Sequence, residues 1–255
     1  MKISFIGSGH VATHLSQALF HLNHQIVDVF SRSEENAKVL AKKVGAQSKT
    51  SLNKLNLNID AFIICVPDEH IAEISHALPK NVVHIHTSGN TNLNVLRSDK
   101  CGVFYPLQTF SKTKEMSFYG VHLLLEANNE MVMTLMQDWG LNLKTQLHFV
   151  NSEERKRMHV AAVFACNFSN LMVNFAEDIL SEFNLDSKLL LPLIQETTRK
   201  LETMSAHSAQ TGPAIRRDQK TISDHLNVLN QMEDSNLSDI YTRLTKEIQN
   251  KHGEL

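Results

Sequence analysis

The stretch KISFIGSGHVATHLSQALFHL, Lys2 to Leu22, governs how the rest of the chain is read. Lys2 to Ile6 form a short apolar run of strand character. A glycine turn follows, and then Val11, Leu15, Ala18, Leu19 and Leu22 recur at helical spacing. Strand, turn and helix in that order open a parallel βαβ unit. Within the turn, Gly7-Ser8-Gly9-His10-Val11-Ala12 fits GxGxxA. Gly7 permits the tight turn, Gly9 leaves the backbone open to a pyrophosphate, and the small Ala12 lets helix pack on strand. Gly7, Ser8, Gly9, His10 and Val11 therefore form a candidate phosphate cradle at a helix N-terminus, where free N–H groups and the dipole favour anions. Glycine turns are common; the position of this one, after a strand and opening a helix, gives it weight.

The end of the second strand, Gln25 to Phe30, discriminates between cofactors. An NAD enzyme usually carries Asp or Glu there for the ribose hydroxyls, whereas this chain has Ser31-Arg32-Ser33, and Asp28 comes too early. An arginine flanked by hydroxyls suits a ribose 2′-phosphate through bidentate, charge-assisted bonds, which points to NADP. The serines also suit the cap of the next helix, Glu34 to Val44, and the two roles are compatible. A third short strand near Ala46 follows.

Ile59 to His70 then reads as a buried strand ending in Val66-Pro67-Asp68, and Asn81 to Asn90 as another ending in Thr87-Ser88-Gly89-Asn90. Ligands of open parallel sheets bind outside the carboxyl ends of the strands, so Val66, Pro67, Thr87 and Ser88 are expected near the nicotinamide. A polar turn capping a helix at Leu93 to Leu96 is the plainer reading of Thr87 and Ser88. Further strands are expected at Gly102 to Tyr105, Gly120 to Leu125 and Thr145 to Val150, with a helix around Glu130 to Trp139.

From Glu153 onward the periodicity is helical: one long helix to about Phe183, another from Ser187 to about His207, and two more over Arg217 to Leu229 and Ser238 to Lys251. The expected fold class is α/β: an N-terminal Rossmann-type parallel sheet domain, 1–152, followed by an all-α C-terminal domain, 153–255, for substrate and dimerisation. The first helix is apolar on too wide a face for a surface helix, so burial against its neighbours, the nucleotide domain or a second subunit is expected, the last giving a homodimer. Its polar residues His159, Asn167, Asn170, Asn174 and Asp178 fall within an arc of roughly 100° at ideal helical pitch. His159, Asn167 and Asn170 are the candidates for catalysis, with Tyr105 as a second proton donor. Gln108, Arg216 and Arg217 are candidates for substrate binding; the arginines equally suit the opening of a helix.

The composition narrows the partners. Net charge is −2, from 25 basic and 27 acidic residues without long blocks, which argues against nucleic acid and an anionic membrane and for a small-molecule substrate. Cys65, Cys101 and Cys166 are far apart and odd in number, which fits a reducing cytoplasm rather than a disulfide framework. No apolar run approaches the roughly 20 residues of a membrane span, and the opening apolar run is too short for a signal segment. The 14 histidines lack metal-ligand spacing, so no metal site is expected, even with His84 and His86 on one strand face.

The segments GSGHVATHL, CVPDEHI, HTSGN, YPLQTFS, HVAAVFACNFSN and TGPAIRRD resemble the Rossmann-like proteins that carry a C-terminal domain of unknown function. These are named as NADP oxidoreductases by similarity to deazaflavin-dependent enzymes. They lie in the superfamily of 6-phosphogluconate dehydrogenase, pyrroline-5-carboxylate reductase, ketopantoate reductase and prephenate dehydrogenase. The resemblance spans nearly the whole chain. It implies a two-domain fold, NADP binding, and hydride transfer to or from a small carbonyl, imine or hydroxy compound in the interdomain cleft. The alternative is an NADP-binding sensor without catalysis. Relatives often carry Lys and, one turn later, Asn on the helix facing the nicotinamide. Here Arg155, Lys156 and Arg157 lack such partners, and His159 with Asn167 and Asn170 is the nearest equivalent. Tyr105-Pro106 stands where prephenate dehydrogenases have His-Pro.

Overall fold

The computed structural model describes residues 1–111, 116–232 and 236–253. The chain divides into two compact units, Met1–Cys166 and Asn167–Leu255.

The first unit is built on an eight-stranded sheet. Its strands are β1 (Lys2–Ile6), β2 (Gln25–Phe30), β3 (Gln47–Lys49), β4 (Ala61–Ile64), β5 (Val83–His86), β6 (Cys101–Pro106), β7 (His122–Ala127) and β8 (Gln146–Phe149), in spatial order β3-β2-β1-β4-β5-β6-β7-β8. Every neighbouring pair is parallel except β6 and β7, which run antiparallel. This is the doubly wound arrangement expected for the α/β class, with the chain reversing direction across the sheet between β1 and β4. The central strands β4 (AFII) and β5 (VHIH) are buried at every position, as strands covered on both faces must be. Successive residues of β4 serve opposite faces. Ala61 and Ile63 join a core with Phe5, Leu15, Leu19 and Trp139, while Phe62 and Ile64 join Ile6, Ile71 and Leu78 on the other side.

The helices of this unit are α1 (His10–His21), α2 (Glu34–Lys43), α3 (Asp68–Ala77), α4 (Glu130–Asn142) and α5 (Ser152–Ala162). Asn129 caps α4 by accepting from Val132 N–H, and Asn151 and Glu154 close a reciprocal capping box on α5. The turn at Leu93–Val95 is a single 3₁₀ turn capped by Asn92, so Thr87 and Ser88 do not cap it.

Helix α5 continues through a π-helical segment, Val163–Phe168, into α6 (Ser169–Glu182). The boundary between the units falls inside that segment. A π turn holds more residues than an α turn, so the helix does not keep uniform α pitch through this segment. Among the described residues, Ser152–Glu182 is also the one helix long and apolar enough, by length and composition, to cross a membrane, and none of its apolar window is buried. Asn167, Asn170 and Asn174 interrupt its apolar run.

The second unit continues with a 3₁₀ turn at Ser187–Leu190, α7 (Leu191–Lys200), α8 (Ala206–Ala209), α9 (Gln219–Leu229) and α10 (Asn236–His252). The single helix expected over Ser187 to His207 is broken after Lys200, because Ser205 takes extended backbone and caps α8 by accepting from Ser208 N–H. Likewise α9 cannot begin at Arg217, which lies in the left-handed region with φ 52°. Asp218 starts it by accepting from Thr221 N–H. The imidazole of His225 meets the Tyr241 hydroxyl at 2.8 Å, joining α9 to α10.

Candidate active site

Three loops meet at the carboxyl ends of β1, β2 and β4. Gly7 N–H donates to Phe30 O at 2.8 Å and Cys65 N–H to Ile6 O at 2.7 Å, which holds the loops in register. Gly7 has φ +121°, and a Cβ there would lie 2.2 Å from the Cys65 carbonyl oxygen, so only glycine fits the turn. Above it, a cavity of about 580 Å³ is lined by Ser8, Gly9, Ser31, Arg32 and Ser33 on one side and Val66, Pro67, His70 and Ile74 on the other. This places Val66 and Pro67 beside the Arg32 end of the cradle.

The cavity fits an anionic dinucleotide. A Cβ on Gly9 would meet nothing within 4 Å, so the backbone faces open space there. Helix α1 has no side chain capping its N-terminus and no acidic residue in its first turn, leaving its leading N–H groups, including that of Val11, available to a pyrophosphate. The Ser8 hydroxyl donates to Ser31 Oγ at 2.8 Å, tying the glycine turn to the turn after β2. Ser33 accepts from Asn36 N–H at 3.3 Å, so it caps α2 while lining the cavity, and the two roles coexist. Asp28 is buried, with Oδ2 accepting from Asn56 N–H at 2.7 Å and Oδ1 3.8 Å from Lys49 Nζ. It is thus committed to the sheet edge rather than to a ribose. His10 contacts the Phe110 carbonyl at 2.8 Å and His14 that of Ser111 at 2.8 Å, so both bind the loop after β6 across the start of α1. Gln108, in that loop, accepts from Thr109 N–H at 2.8 Å.

A second cluster lies at the end of β5 and β6. The Tyr105 hydroxyl is 2.9 Å from His159 Nδ1, and the two rings meet edge to face, their centroids 5.8 Å apart. Both rings pack on Gly89, where a Cβ would come within 2.8 Å of each. Burial pushes the Tyr105 phenol up, the Asp68 carboxylate adds to this, Arg155 opposes it and Cys166 adds again. The phenol is therefore protonated at neutral pH. Beside it, Ser88 Oγ accepts from Asn90 and Thr91 N–H at 3.1 and 2.9 Å, which shapes the turn. Thr87 hydrogen-bonds the Cys65 thiol, whose burial pushes it up to about 12 and leaves it unreactive.

Helix α5 is fixed to the sheet by a buried network that periodicity did not reveal. Arg155, fully buried, pairs with Glu126 on β7 and donates to the Thr91 carbonyl and to Ser152 Oγ. The Ser152 hydroxyl donates to Glu126 at 2.8 Å and accepts from Leu93 N–H at 3.1 Å. One helical turn beyond Arg155 stands His159, so this network sets where its ring lies. His84 is closed off between Ser75 Oγ at 2.9 Å and the Pro79 carbonyl at 3.1 Å. Among the described residues no three His, Cys, Asp or Glu side chains gather as metal ligands.

In the second unit, Asn167 and Asn170 are exposed, Asn167 on the π-helical segment and Asn170 at the start of α6. Arg217 donates to the Gly253 carbonyl at 2.6 Å, and Arg216 is exposed. The structure thus brings together Tyr105 with His159, and Arg32 with the serines and the glycine turn. Each of these sets lies within the first unit. His70, Glu126 and Arg155 are additions; only the CVPDEHI segment pointed toward the first.

Comparison with known proteins agrees with this geometry. Residues 121–248, half of the chain, match the family model described as domain of unknown function DUF2520. The chain belongs to the DUF2520 family. Residues 2–87 of this DUF2520 protein match the model described as NADP oxidoreductase, coenzyme F420-dependent. A solved protein of Bacteroides fragilis described as a putative NADP oxidoreductase is 36% identical, with 98% of each chain covered and a TM-score of 0.91. Protein TM1727 of Thermotoga maritima (22% identical, 98% of each chain, TM-score 0.68) shares the fold. So does the reductive aminase of Aspergillus terreus solved with NADPH and ethyl-5-oxohexanoate (14% identical, 99% of this chain and 96% of that one, TM-score 0.70). No curated protein matches. By its family, this DUF2520 protein is an NADP-dependent oxidoreductase, and the Arg32 cavity has the residues to hold that cofactor.

Proposed function

We propose that this protein transfers a hydride between NADP and a small carbonyl, imine or hydroxy compound, with Tyr105 and His159 managing the proton. The observation that carries this is the 2.9 Å contact between the Tyr105 hydroxyl and His159 Nδ1 at the carboxyl end of the sheet, beside the HTSGN turn. Bound NADPH would supply the hydride. In the reductive direction the Tyr105 O–H donates its proton to the oxygen or nitrogen that gains charge, and His159, protonated, returns one to the phenolate. Two groups in series let an acid whose proton is held tightly by burial be recharged by a neighbouring imidazole. Asn167 and Asn170 orient the substrate in this proposal, and Gln108, Arg216 and Arg217 bind it. Residues 1–152 serve as the cofactor domain and 153–255 as the substrate and dimerisation domain.

The test is a screen of small keto acids, ketones and cyclic imines for NADPH oxidation by the wild type, Tyr105→Phe and His159→Ala. Turnover that drops about a hundredfold or more in Tyr105→Phe, with NADPH affinity kept, is the expected result. Turnover indifferent to both substitutions sinks the assignment. NADPH binding without turnover on any substrate favours the sensor reading.

The exposed apolar surface of α6 and α7 supports a homodimer. Leu171 of α6 and Leu191 and Leu193 of α7 are between 42% and 64% exposed, apolar surface suited to a second copy of the chain. The free thiols of Cys65, Cys101 and Cys166 support a cytoplasmic setting.

A further inference from the structure

We infer that His70 is a second residue of the 2′-phosphate subsite, one that adds positive charge there when protonated and so makes the preference for NADPH over NADH depend on pH. The inference rests on the reading that Arg32 receives that phosphate. His70 stands in the first turn of α3 and lines the same cavity as Arg32, Ser31 and Ser33. Its Nε2 lies 3.5 Å from Arg32 Nη1. A group bound by the guanidinium at that nitrogen is therefore within reach of the imidazole.

The charges around the ring set the coupling. Arg32 faces it from the turn after β2. From α3 itself, Glu69 Oε1 lies 3.6 Å from Nε2 and Glu73 Oε2 3.9 Å from Nδ1. A neutral ring presents the Nε2 lone pair to the guanidinium and its Nδ1 proton to Glu73. A protonated ring turns an N–H toward a like charge, an arrangement that an anion between the two cations relieves. The 2′-phosphate is such an anion, whereas NADH carries only a hydroxyl at that position. Proton and phosphate therefore favour each other's binding, and the effect is reciprocal. A protonated His70 also offsets the carboxylates of Glu69 and Glu73, which otherwise repel the phosphate. The side chain is 32% exposed, so solvent moderates the interaction and its substitution leaves the core intact.

Calorimetric titration of the full chain with NADPH and with NADH, at pH 6 and pH 8, tests this with the wild type and His70→Gln. The variant keeps the titration of the phosphate itself and serves as baseline. In the wild type, the NADPH-over-NADH affinity ratio should rise about tenfold more than in His70→Gln on going from pH 8 to pH 6, the size of one charge-assisted contact. Titrations in buffers of different ionisation heat should show proton uptake in excess of the variant's on NADPH binding. The same pH dependence in both proteins, with NADPH still preferred, overturns the role of His70 and leaves that of Arg32 standing. No preference for NADPH in either protein at either pH overturns both.

Discussion

Phe5, Ile63 and Leu125, on the sheet strands, are fully buried, whereas Leu189, Leu193 and Leu201 of the helical unit keep 69%, 64% and 52% of their surface exposed. The two regions close their apolar surface differently. A parallel sheet buries its strands by covering both faces with helices from the same chain, so its core is complete within one unit. Helices α6 and α7 have no buried residue, and their large apolar side chains stay exposed. Chemistry follows the same division. Both clusters with defined geometry, the Arg32 cavity and the Tyr105–His159 pair, lie in the closed unit, where rigid strand ends can hold them.

Substitutions can break this contrast. Gly7→Ala strikes the closed unit hardest, because the new Cβ meets the Cys65 carbonyl in a left-handed turn; a loss of more than about 4 kcal/mol in urea unfolding, or no folded protein, is expected. Near-wild-type stability would mean that this turn is looser than described. Acid attacks the same unit through its buried histidines. Burial, and for His86 also the charge of Arg155, holds His84 down to about 4 and His86 down to about 3. Both are neutral when folded and take up protons only on unfolding. Stability is thus full above the ordinary histidine range near 6.5 and declines as pH falls toward 4 and 3. Between pH 7 and pH 5 the loss should be on the order of 3 kcal/mol, and replacing both by Asn should flatten the slope of chemical denaturation against pH.

The open unit should respond through association instead. Leu193→Asp should weaken self-association by about thirtyfold or more in sedimentation equilibrium while leaving the unfolding of the sheet unit in place. A wild type that is monomeric at all concentrations would remove the second copy as the cover of this face. Arg32→Ala carries the smallest effect: a roughly tenfold fall in the preference for NADPH over NADH, measured by titration, with unchanged thermal unfolding. Equal affinities for the two nucleotides already in the wild type would break the assignment of the 2′-phosphate to Arg32.

Much of the closed unit was legible in the residues because its signals are local. The GxGxxA turn, the Ser31-Arg32-Ser33 end of the second strand and the apolar runs of the strands each depend on a few neighbours in sequence, and each appears where expected. The pairing of Tyr105 with His159 was half legible: both were candidates, yet nothing in a one-dimensional pattern says that residues 54 positions apart touch. The anchoring of α5 by Glu126, Arg155 and Ser152 gave no periodic signal, since a buried ion pair looks in sequence like two ordinary surface charges. The helical unit is less legible in its residues. Helix existence follows from periodicity, but the break after Lys200 depends on Ser205 taking extended backbone, and the start of α9 on the left-handed φ of Arg217.

By itself, then, the sequence determined the class of fold, the order of its elements and the turn that can cradle a pyrophosphate, because hydrophobic period and glycine geometry act over short stretches of chain. Only the tertiary structure decided which polar residues meet. It set His70 against Arg32 and His159 against Tyr105, it withdrew Asp28 to the sheet edge, and it put a π-helical segment into the long helix where ideal pitch was expected. Those outcomes depend on packing across the sheet and on a local change in helical pitch, neither of which is encoded by residue spacing alone.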